Sequence, residues 1–308
     1  MLEIHPKFSL KGKERWRTSK RNIKWYILLA IVVFIFFWTF VKMRKLEWSP
    51  SIQNSVSVKY GGYENIRGSS PLKLRCTTCA LVTNSGHTIG SYLGRQIDQT
   101  DCVFRLNRAP VTDYDDDVGS KTTIRVVSMR NLNATLSNES LRKSLGDVVI
   151  VYSRHKKSEH AVAQNKVRRL ISENNIEASI FMITDETLKI IDGTFRDHVY
   201  LGSNKAITTK NLPTTGFTAF TTAMEICQNR LDIYGMVPPY HCLKYMNTYD
   251  APYSYFPPGN QIPGCKRENS YGKRYASSHI FTEEAIAIRD LTQDCSEVRF
   301  FSPDWKKN

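Results

Sequence analysis

The feature that most restricts the fold of this chain is the alternation of short apolar runs with amphipathic segments beyond residue 70. Seven runs are rich in β-branched and aromatic residues and are bounded by turn residues, which predicts strands. They cover residues 80–83, 102–106, 123–127, 147–152, 179–183, 231–234 and 298–301. Helical periodicity lies between them at 160–171, 217–227 and 283–291, the last with Thr282 placed to cap it. Alternating strands and helices predict an α/β domain, with a mostly parallel sheet and helices on both faces.

Ligands of such sheets bind beyond the carboxyl ends of the strands, so the strand-to-helix loops are the places to look for chemistry. The first of these loops is Thr83–Gly90. Its glycines permit a tight turn and let backbone N–H groups approach an anion, and Asn84 and Ser85 offer side-chain contacts. Taken alone, the loop fits a plain turn at least as well as a nucleotide site.

The N-terminal part of the chain contains an uncharged run of seventeen residues, Trp25–Val41. At a rise of about 1.5 Å per residue, this is near the lower limit for crossing a hydrocarbon core of about 30 Å. Residues 1–50 carry eight of the fourteen net positive charges, and most of these precede the run. The positive-inside rule then predicts a cytosolic N-terminus and a lumenal C-terminal part. A cleavable signal peptide is the alternative, but bulky residues 36–38 stand where its small-residue cleavage site belongs.

These observations predict four segments: a cytosolic basic tail at 1–24, a transmembrane signal-anchor at 25–41, a stem at 42–70 and a lumenal domain at 71–308. The stem is rich in Ser, Gly and charge and has little periodicity. The charge fraction of 23% and hydrophobic fraction of 41% are typical of a folded domain, which excludes a disordered chain. Because most of the basic excess belongs to the membrane segment, the net charge of +14 gives no reason to expect a nucleic-acid partner.

A lumenal location agrees with two further patterns. Asn133 and Asn138 begin glycosylation acceptor sequences, and all seven cysteines lie beyond the anchor, where disulfides persist. The odd number leaves at least one thiol without a partner inside the chain. Cys242 and Cys265 are close enough in sequence to suggest a pair. A zinc site at 76–79 is not expected, since no second C-x-x-C or paired histidine accompanies it.

Four sequence blocks follow one another between residue 76 and about residue 305. The first contains Cys79-Ala-Leu-Val-Thr-Asn-Ser-Gly86, Gln96-Ile-Asp98, Asp101-Cys-Val-Phe-Arg-Leu-Asn-Arg-Ala-Pro110, Asp117-Val-Gly119 and Thr122-Thr-Ile-Arg-Val-Val-Ser128. The others are Pro213-Thr-Thr-Gly216 with Cys227 and Asp232-Ile-Tyr-Gly-Met236, then Tyr253-Ser-Tyr-Phe256, then His279-Ile-Phe-Thr-Glu-Glu284. In content and order they resemble the large, small, third and very small sialylmotifs of the eukaryotic sialyltransferases. Tyr234-Gly-Met-Val-Pro-Pro239 and Pro303-Asp-Trp-Lys306 are most similar to the short-stem GalNAc α2,6-sialyltransferases.

The resemblance implies a single modified GT-A-like, Rossmann-type domain held in the Golgi membrane by one helix, in type II orientation. It implies transfer of sialic acid from CMP-sialic acid to the 6-hydroxyl of GalNAc, in O-glycans or gangliosides, with inversion at the anomeric carbon. The acceptor would be a GalNAc-containing glycoprotein or glycolipid. No metal ion or other cofactor is expected.

The resemblance also implies roles for individual residues. His279 becomes the general base, because an imidazole with a pKa near 6.5 suits a mildly acidic compartment. Glu284 would orient that histidine or cap the following helix. Cys79 and Cys227 match cysteines that join the large and small motifs by a disulfide. The predicted donor-binding residues are Asn84, Ser85, Asn107, Thr214, Thr215, Gly216, Gly235 and Tyr255.

Two features keep other interpretations open. Ser254 stands where the third motif commonly begins with a histidine that can contact the phosphate. Either turnover is slower, or Tyr255 takes over part of that contact. A glycan- or nucleotide-binding relative without turnover, or a sialyltransferase of another linkage, is therefore the alternative. The acidic run 113–117 contains two overlapping D-x-D patterns, which in other glycosyltransferases hold a metal ion. We expect a solvated turn there, since a CMP leaving group has a single phosphate.

Overall fold

The computed structural model describes residues 25, 29, 31–34, 62–68, 70–154, 159–204, 206–207, 211–245, 251–266 and 280–305. The chain divides into two compact units, Met1–Ser49 and Pro50–Asn308. In the first unit, Trp25, Leu29 and residues 31–34 are helical and exposed. Most of the predicted anchor 25–41 lies outside the described residues. Within the described residues, no helix has the length and apolar character needed to cross a membrane.

The second unit is built on a sheet of eight strands. They are β1 (Tyr63–Asn65), β2 (Cys76–Val82), β3 (Cys102–Leu106), β4 (Ile124–Ser128), β5 (Val148–Tyr152), β6 (Ser179–Ile183), β7 (Cys227–Tyr234) and β8 (Val298–Phe301). Their order across the sheet is β1-β6-β5-β4-β3-β2-β7-β8. All six pairings from β6 across the sheet to β8 are parallel. The edge strand β1 pairs antiparallel with β6. The predicted mostly parallel α/β sheet is confirmed.

Nine α-helices with described bounds accompany the strands in this unit. They are α1 (Gly94–Asp98), α2 (Asp115–Val118), α3 (Met129–Leu136), α4 (Glu139–Lys143), α5 (His160–Glu173), α6 (Asp185–Ser203), α7 (Thr215–Ile226), α8 (His241–Tyr245) and α9 (Phe281–Thr292). Buried residues of α6, α7 and α9 share one core with one face of the sheet. Those of α3 and α5 share a second core with the opposite face, and α1 and α2 contribute to a third. Helices therefore cover both faces, because the strands are apolar on both sides: in β5, Ile150 enters the first core and Val149 the second.

Three details differ from the sequence predictions. β1 lies inside 42–70, the range assigned to the stem. The sequence did not predict this strand, because its residues, Tyr-Glu-Asn, carry no apolar pattern and its partner β6 is distant in sequence. The helix α6 was not predicted, although its buried positions recur with helical spacing. Thr282 is not the cap of α9: the helix begins at Phe281, and the N-cap residue is Ile280, without a side-chain hydrogen bond.

The chain contains three disulfides, two of which join strands at the centre of the sheet. Cys79 of β2 is bonded to Cys227, where α7 passes into β7, as the resemblance implied. Cys242 is bonded to Cys265, which confirms that pair. The third bond, between Cys76 and Cys102, joins β2 to β3. The seventh cysteine, Cys295, is buried near the start of β8.

Candidate active site

A cavity of about 730 Å³ opens at the carboxyl ends of the parallel strands. From β2 the chain proceeds through β3, β4, β5 and β6 to one side, and then returns through α7 to β7 on the other side of β2. The direction of the chain along the sheet therefore reverses at β2, and ligands of parallel sheets bind at such a point. Seven of the predicted donor-binding residues line the cavity: Asn84, Ser85, Asn107, Thr214, Thr215, Gly216 and Gly235.

The loop after β2 forms one wall. Ser85 caps a short 3-10 helix, Gly86–Thr88, by accepting a hydrogen bond from the His87 N–H at 3.2 Å. A side chain at Gly86 would meet the Pro252 carbonyl oxygen, since a Cβ there would lie 2.4 Å from it. The Asn84 Oδ1 is buried and has no hydrogen-bond partner among the described residues. A buried acceptor without a donor is costly, so this oxygen is suited to receive an N–H or O–H of a ligand.

The backbone conformation at position 235, directly after β7, requires glycine. Its φ is +79°, and a Cβ there would lie 2.6 Å from the Thr83 Oγ1. Glycine adopts this left-handed conformation at no steric cost, and it lets the loops after β2 and β7 approach each other closely. Gly235 lies in the cavity wall, and its contact with a nucleotide stays a prediction.

Asn107 connects three elements. Its φ is +46°, and the Arg125 Nη1 donates to its carbonyl oxygen at 3.0 Å. Its Oδ1 accepts from the Ser128 N–H at 3.0 Å, and its Nδ2 donates to the Thr215 Oγ1 at 3.1 Å. Asn107 thus fixes the loop after β3 against the end of β4 and the start of α7.

The turn that begins α7 is held by Glu284 of α9. Thr214 is the N-cap residue of α7, and its Oγ1 accepts from the Gly216 N–H at 2.9 Å. The Thr214 N–H donates to Glu284 Oε2 at 2.8 Å, and its hydroxyl donates to Oε1 at 2.5 Å. Burial raises the pKa of Glu284 to about 7, against the opposing effect of the Thr214 hydrogen bonds. Glu284 therefore connects the very small motif to the small motif.

Two residues at the carboxyl end of β5 were missed by the sequence analysis. The Tyr152 hydroxyl lies 2.7 Å from the Thr215 Oγ1, and Arg154 lines the cavity next to it. The available signal was their place at the carboxyl end of the fourth predicted strand, where ligands of parallel sheets bind. Together with Asn107 and Thr215 they make a continuous polar wall.

The third motif is arranged differently from the prediction. The Tyr255 side chain is buried in the third core, its hydroxyl donates to the Pro110 carbonyl oxygen at 2.7 Å, and it does not line the cavity. The Ser254 hydroxyl donates to the Phe256 carbonyl oxygen at 2.7 Å. Tyr253 instead lines the cavity. Residues 253–256 form bends rather than a strand, so the same-side rule for residues two apart does not apply to Tyr253 and Tyr255. The expectation that Tyr255 replaces the missing histidine at a donor phosphate is not supported by this geometry.

The predicted base, His279, lies outside the described residues, and its role stays a prediction. Phe281, at the start of α9, and Glu284 both line the cavity. The suggestion that Glu284 orients His279 is likewise untested. What Glu284 does in the described residues is to hold Thr214.

The acidic run begins in a turn at 113–114 and continues into the four-residue helix α2. Asp113, Asp115 and Asp116 are exposed, as expected. The Asp117 carboxylate accepts hydrogen bonds from the N–H groups of Gly90 at 2.9 Å and Tyr92 at 2.8 Å. Asp117 therefore fixes the far end of the loop after β2. Within the described part of the chain, no cluster of three or more His, Cys, Asp or Glu residues has the arrangement of a metal site.

Both glycosylation acceptor asparagines are exposed. Asn133 lies in α3, and Asn138 caps α4 by accepting from the Leu141 N–H at 3.0 Å. A glycan is attached through Nδ2, so the capping bond to Oδ1 is compatible with it. Their modification stays a prediction.

Comparison with known proteins gives consistent results. The chain is 28% identical over 269 residues to a mouse alpha-N-acetyl-neuraminyl-2,3-beta-galactosyl-1,3-N-acetyl-galactosaminide alpha-2,6-sialyltransferase, covering 85% of this chain and 72% of the mouse protein. It is 30% identical over 254 residues to the bovine alpha-N-acetylgalactosaminide alpha-2,6-sialyltransferase 6, covering 79% and 73%.

Among solved structures, a mammalian sialyltransferase aligns with a TM-score of 0.44 and 21% identity, covering 74% of this chain and 69% of that one. A sialyltransferase from Campylobacter jejuni in complex with CMP-3FNeuAc aligns with a TM-score of 0.44 and 14% identity, covering 75% and 84%. The sequence profile of glycosyltransferase family 29 (sialyltransferase) matches residues 37–293, which is most of the chain. The chain therefore belongs to glycosyltransferase family 29, the sialyltransferases.

Proposed function

We propose that this protein transfers sialic acid from CMP-sialic acid to the 6-hydroxyl of a GalNAc residue. The observation that carries the proposal is the meeting of three motifs at one cavity. Asn107 of the large motif bonds to Thr215 of the small motif, and Thr214 beside it bonds to Glu284 of the very small motif. The names of the relatives, which are GalNAc α2,6-sialyltransferases, supply the acceptor sugar and the linkage.

The donor would occupy the cavity between the loops after β2 and β7 and the start of α7. The start of α7 has the positive end of a helix dipole, which favours an anion such as the CMP phosphate. The Asn84 Oδ1 offers a buried acceptor for a hydroxyl or amino group of the nucleoside. These contacts hold the donor and stabilise the charge that develops on the departing phosphate.

His279 acts as general base in this proposal. It takes the proton of the acceptor hydroxyl as the new C–O bond forms at the anomeric carbon and the bond to the CMP oxygen breaks. Attack on the face opposite the leaving group inverts the configuration. The reaction is proposed to need no metal ion.

The same proposal places the enzyme in the Golgi membrane as a single-pass type II protein. Residues 25–41 would be the anchor, and the catalytic domain, of modified GT-A type, would be lumenal. The three disulfides support an oxidising compartment, since such bonds persist there. Gangliosides and O-glycans are both proposed acceptors.

The test is a transfer assay with labelled CMP-sialic acid, a panel of GalNAc-containing glycoprotein and glycolipid acceptors, and linkage analysis of the product. We expect an α2,6-linked product and no effect of EDTA. No transfer to any acceptor would refute the proposal, and inactivation by EDTA would refute the metal-free mechanism. Binding of CMP without transfer would favour the alternative of a binding protein that has lost turnover.

A further inference from the structure

Arg154 is a cavity residue that none of the motifs includes. Its Nε and Nη2 both donate to Asp192 Oδ1 of α6, at 3.2 and 3.1 Å, and Nη2 also donates to the Thr218 Oγ1 of α7 at 3.3 Å. The guanidinium carbon lies 4.9 Å from the centre of the Tyr152 ring, over its face. Two helices and the end of a strand therefore fix this side chain.

The fixed edge of the guanidinium leaves another edge unused. The hydrogen bonds that hold Arg154 to Asp192 and Thr218 use Nε and Nη2 and not Nη1, and the residue lines the cavity. Because only 14% of the Arg154 side chain is exposed, water screens this group far less than a surface arginine. The N–H groups of Nη1 are thus held ready for an acceptor inside the cavity.

The partner Asp192 explains how a cation can be kept in this wall. Its side chain is 17% exposed, so it compensates a charge that would otherwise be costly to bury. It also holds the guanidinium in one orientation, so little side-chain entropy remains to be lost when a ligand binds. The other arginine that lines this cavity in the described part of the chain, Arg130, is exposed and has no such support.

We propose that Arg154 binds an anionic group of the sugar-nucleotide donor through Nη1, and that Asp192 positions it. This inference rests on the proposed function, since the donor carries two anionic groups, the phosphate and the carboxylate of sialic acid. Guanidinium groups suit both, because their N–H groups match pairs of anionic oxygens. The polar wall from Asn107 through Thr215 and Tyr152 leads directly to this residue.

The test uses the double variant Arg154→Met with Asp192→Asn, which removes the pair together and leaves no buried carboxylate unpaired. Binding of cytidine, CMP and the non-transferable analogue CMP-3FNeuAc is measured by calorimetry on the full chain. We expect unchanged affinity for cytidine and a loss of about 10- to 100-fold for the anionic ligand, the size of one charge-assisted hydrogen bond. Weaker binding of both CMP and the analogue identifies the phosphate as the group that Arg154 binds. Weaker binding of the analogue alone identifies the carboxylate.

Arg169→Met with Glu173→Gln is the matched control, since it also removes both partners of an ion pair, here an exposed one on α5. The proposal is overturned if the double variant binds all three ligands as the control does. It is also overturned if cytidine binding falls as much as CMP binding, because that would indicate damage to the pocket. If the unmodified protein binds none of the three ligands, the proposed function fails and this proposal fails with it. If the unmodified protein binds CMP and the analogue and the double variant binds them equally well, only the Arg154 proposal fails.

Discussion

The pH dependence of stability tests the environment of Glu284 directly. This carboxyl group is 8% exposed and receives both hydrogen bonds from Thr214. Burial disfavours its charged form and raises its pKa from 4.5 to about 7 in the folded protein. The folded state then holds a proton that the unfolded state has released, so stability is lost as the pH rises through this interval. Below about pH 4.5 both states are protonated, and above about pH 7 both are ionised, so the loss is confined between those limits.

The size of the effect follows from the shift. At about 1.4 kcal/mol per pKa unit, a shift from 4.5 to about 7 corresponds to a loss of about 3 kcal/mol. Glu284→Gln has no such proton to lose. We therefore expect the free energy of unfolding of the unmodified protein to fall, relative to Glu284→Gln, by about 3 kcal/mol between pH 4.5 and pH 7.5.

The measurement is urea unfolding with the disulfides intact, at several pH values across that interval. Burial also raises the pKa of Glu225 to about 7, but Glu225 is present in both proteins and cancels in the comparison. The control is Glu139→Gln, an exposed carboxylate with 74% of its side chain accessible, which should follow the unmodified protein. A constant difference between unmodified protein and Glu284→Gln would refute the reasoning. A difference of opposite sign would mean that the Thr214 bonds and the α7 dipole outweigh burial and hold Glu284 ionised.

Three further outcomes are expected. Replacing Cys79 and Cys227 together by Ala should lower the free energy of unfolding by about 5 kcal/mol in the chain-entropy model, because the two residues are 148 apart in sequence. Replacing Cys242 and Cys265, which are 23 apart, should lower it by only about 3 kcal/mol. Equal losses in denaturant unfolding would contradict this. Gly235→Ala should lower both the melting temperature and the CMP affinity, since φ is +79° and the Cβ would meet Thr83. Unchanged CMP binding would show that the loops after β2 and β7 can move apart without disturbing the CMP site. His279→Ala should abolish transfer while CMP binding by calorimetry stays nearly intact, and a comparable loss of binding would assign His279 to the donor site instead.

The strands were predictable because their signal is local. Runs such as 102–106 and 179–183 coincide with observed strands, since strands buried on both faces are apolar throughout. β1 has no comparable signal: its residues are Tyr-Glu-Asn, and only pairing with β6 makes it a strand. Thr282 shows the opposite error, in which a good capping residue is the second residue of the helix that it was expected to cap. Helix boundaries of this kind depend on where the chain enters the core.

For the site, the sequence determined which segments meet, and the tertiary structure decided what each side chain does there. The order of strands and helices and the four motifs were enough to predict an edge of a parallel sheet as the donor site, with Asn84, Asn107 and Thr214 in it. Spacing along the chain could not show that Tyr255 points into the core, or that Arg154 is held by Asp192 from α6. It also left two roles open for Glu284, whose observed partner is Thr214, seventy residues earlier in the chain. Hydrophobic periodicity and motifs are properties of neighbouring residues, whereas burial and hydrogen-bond partners arise only when distant segments pack together.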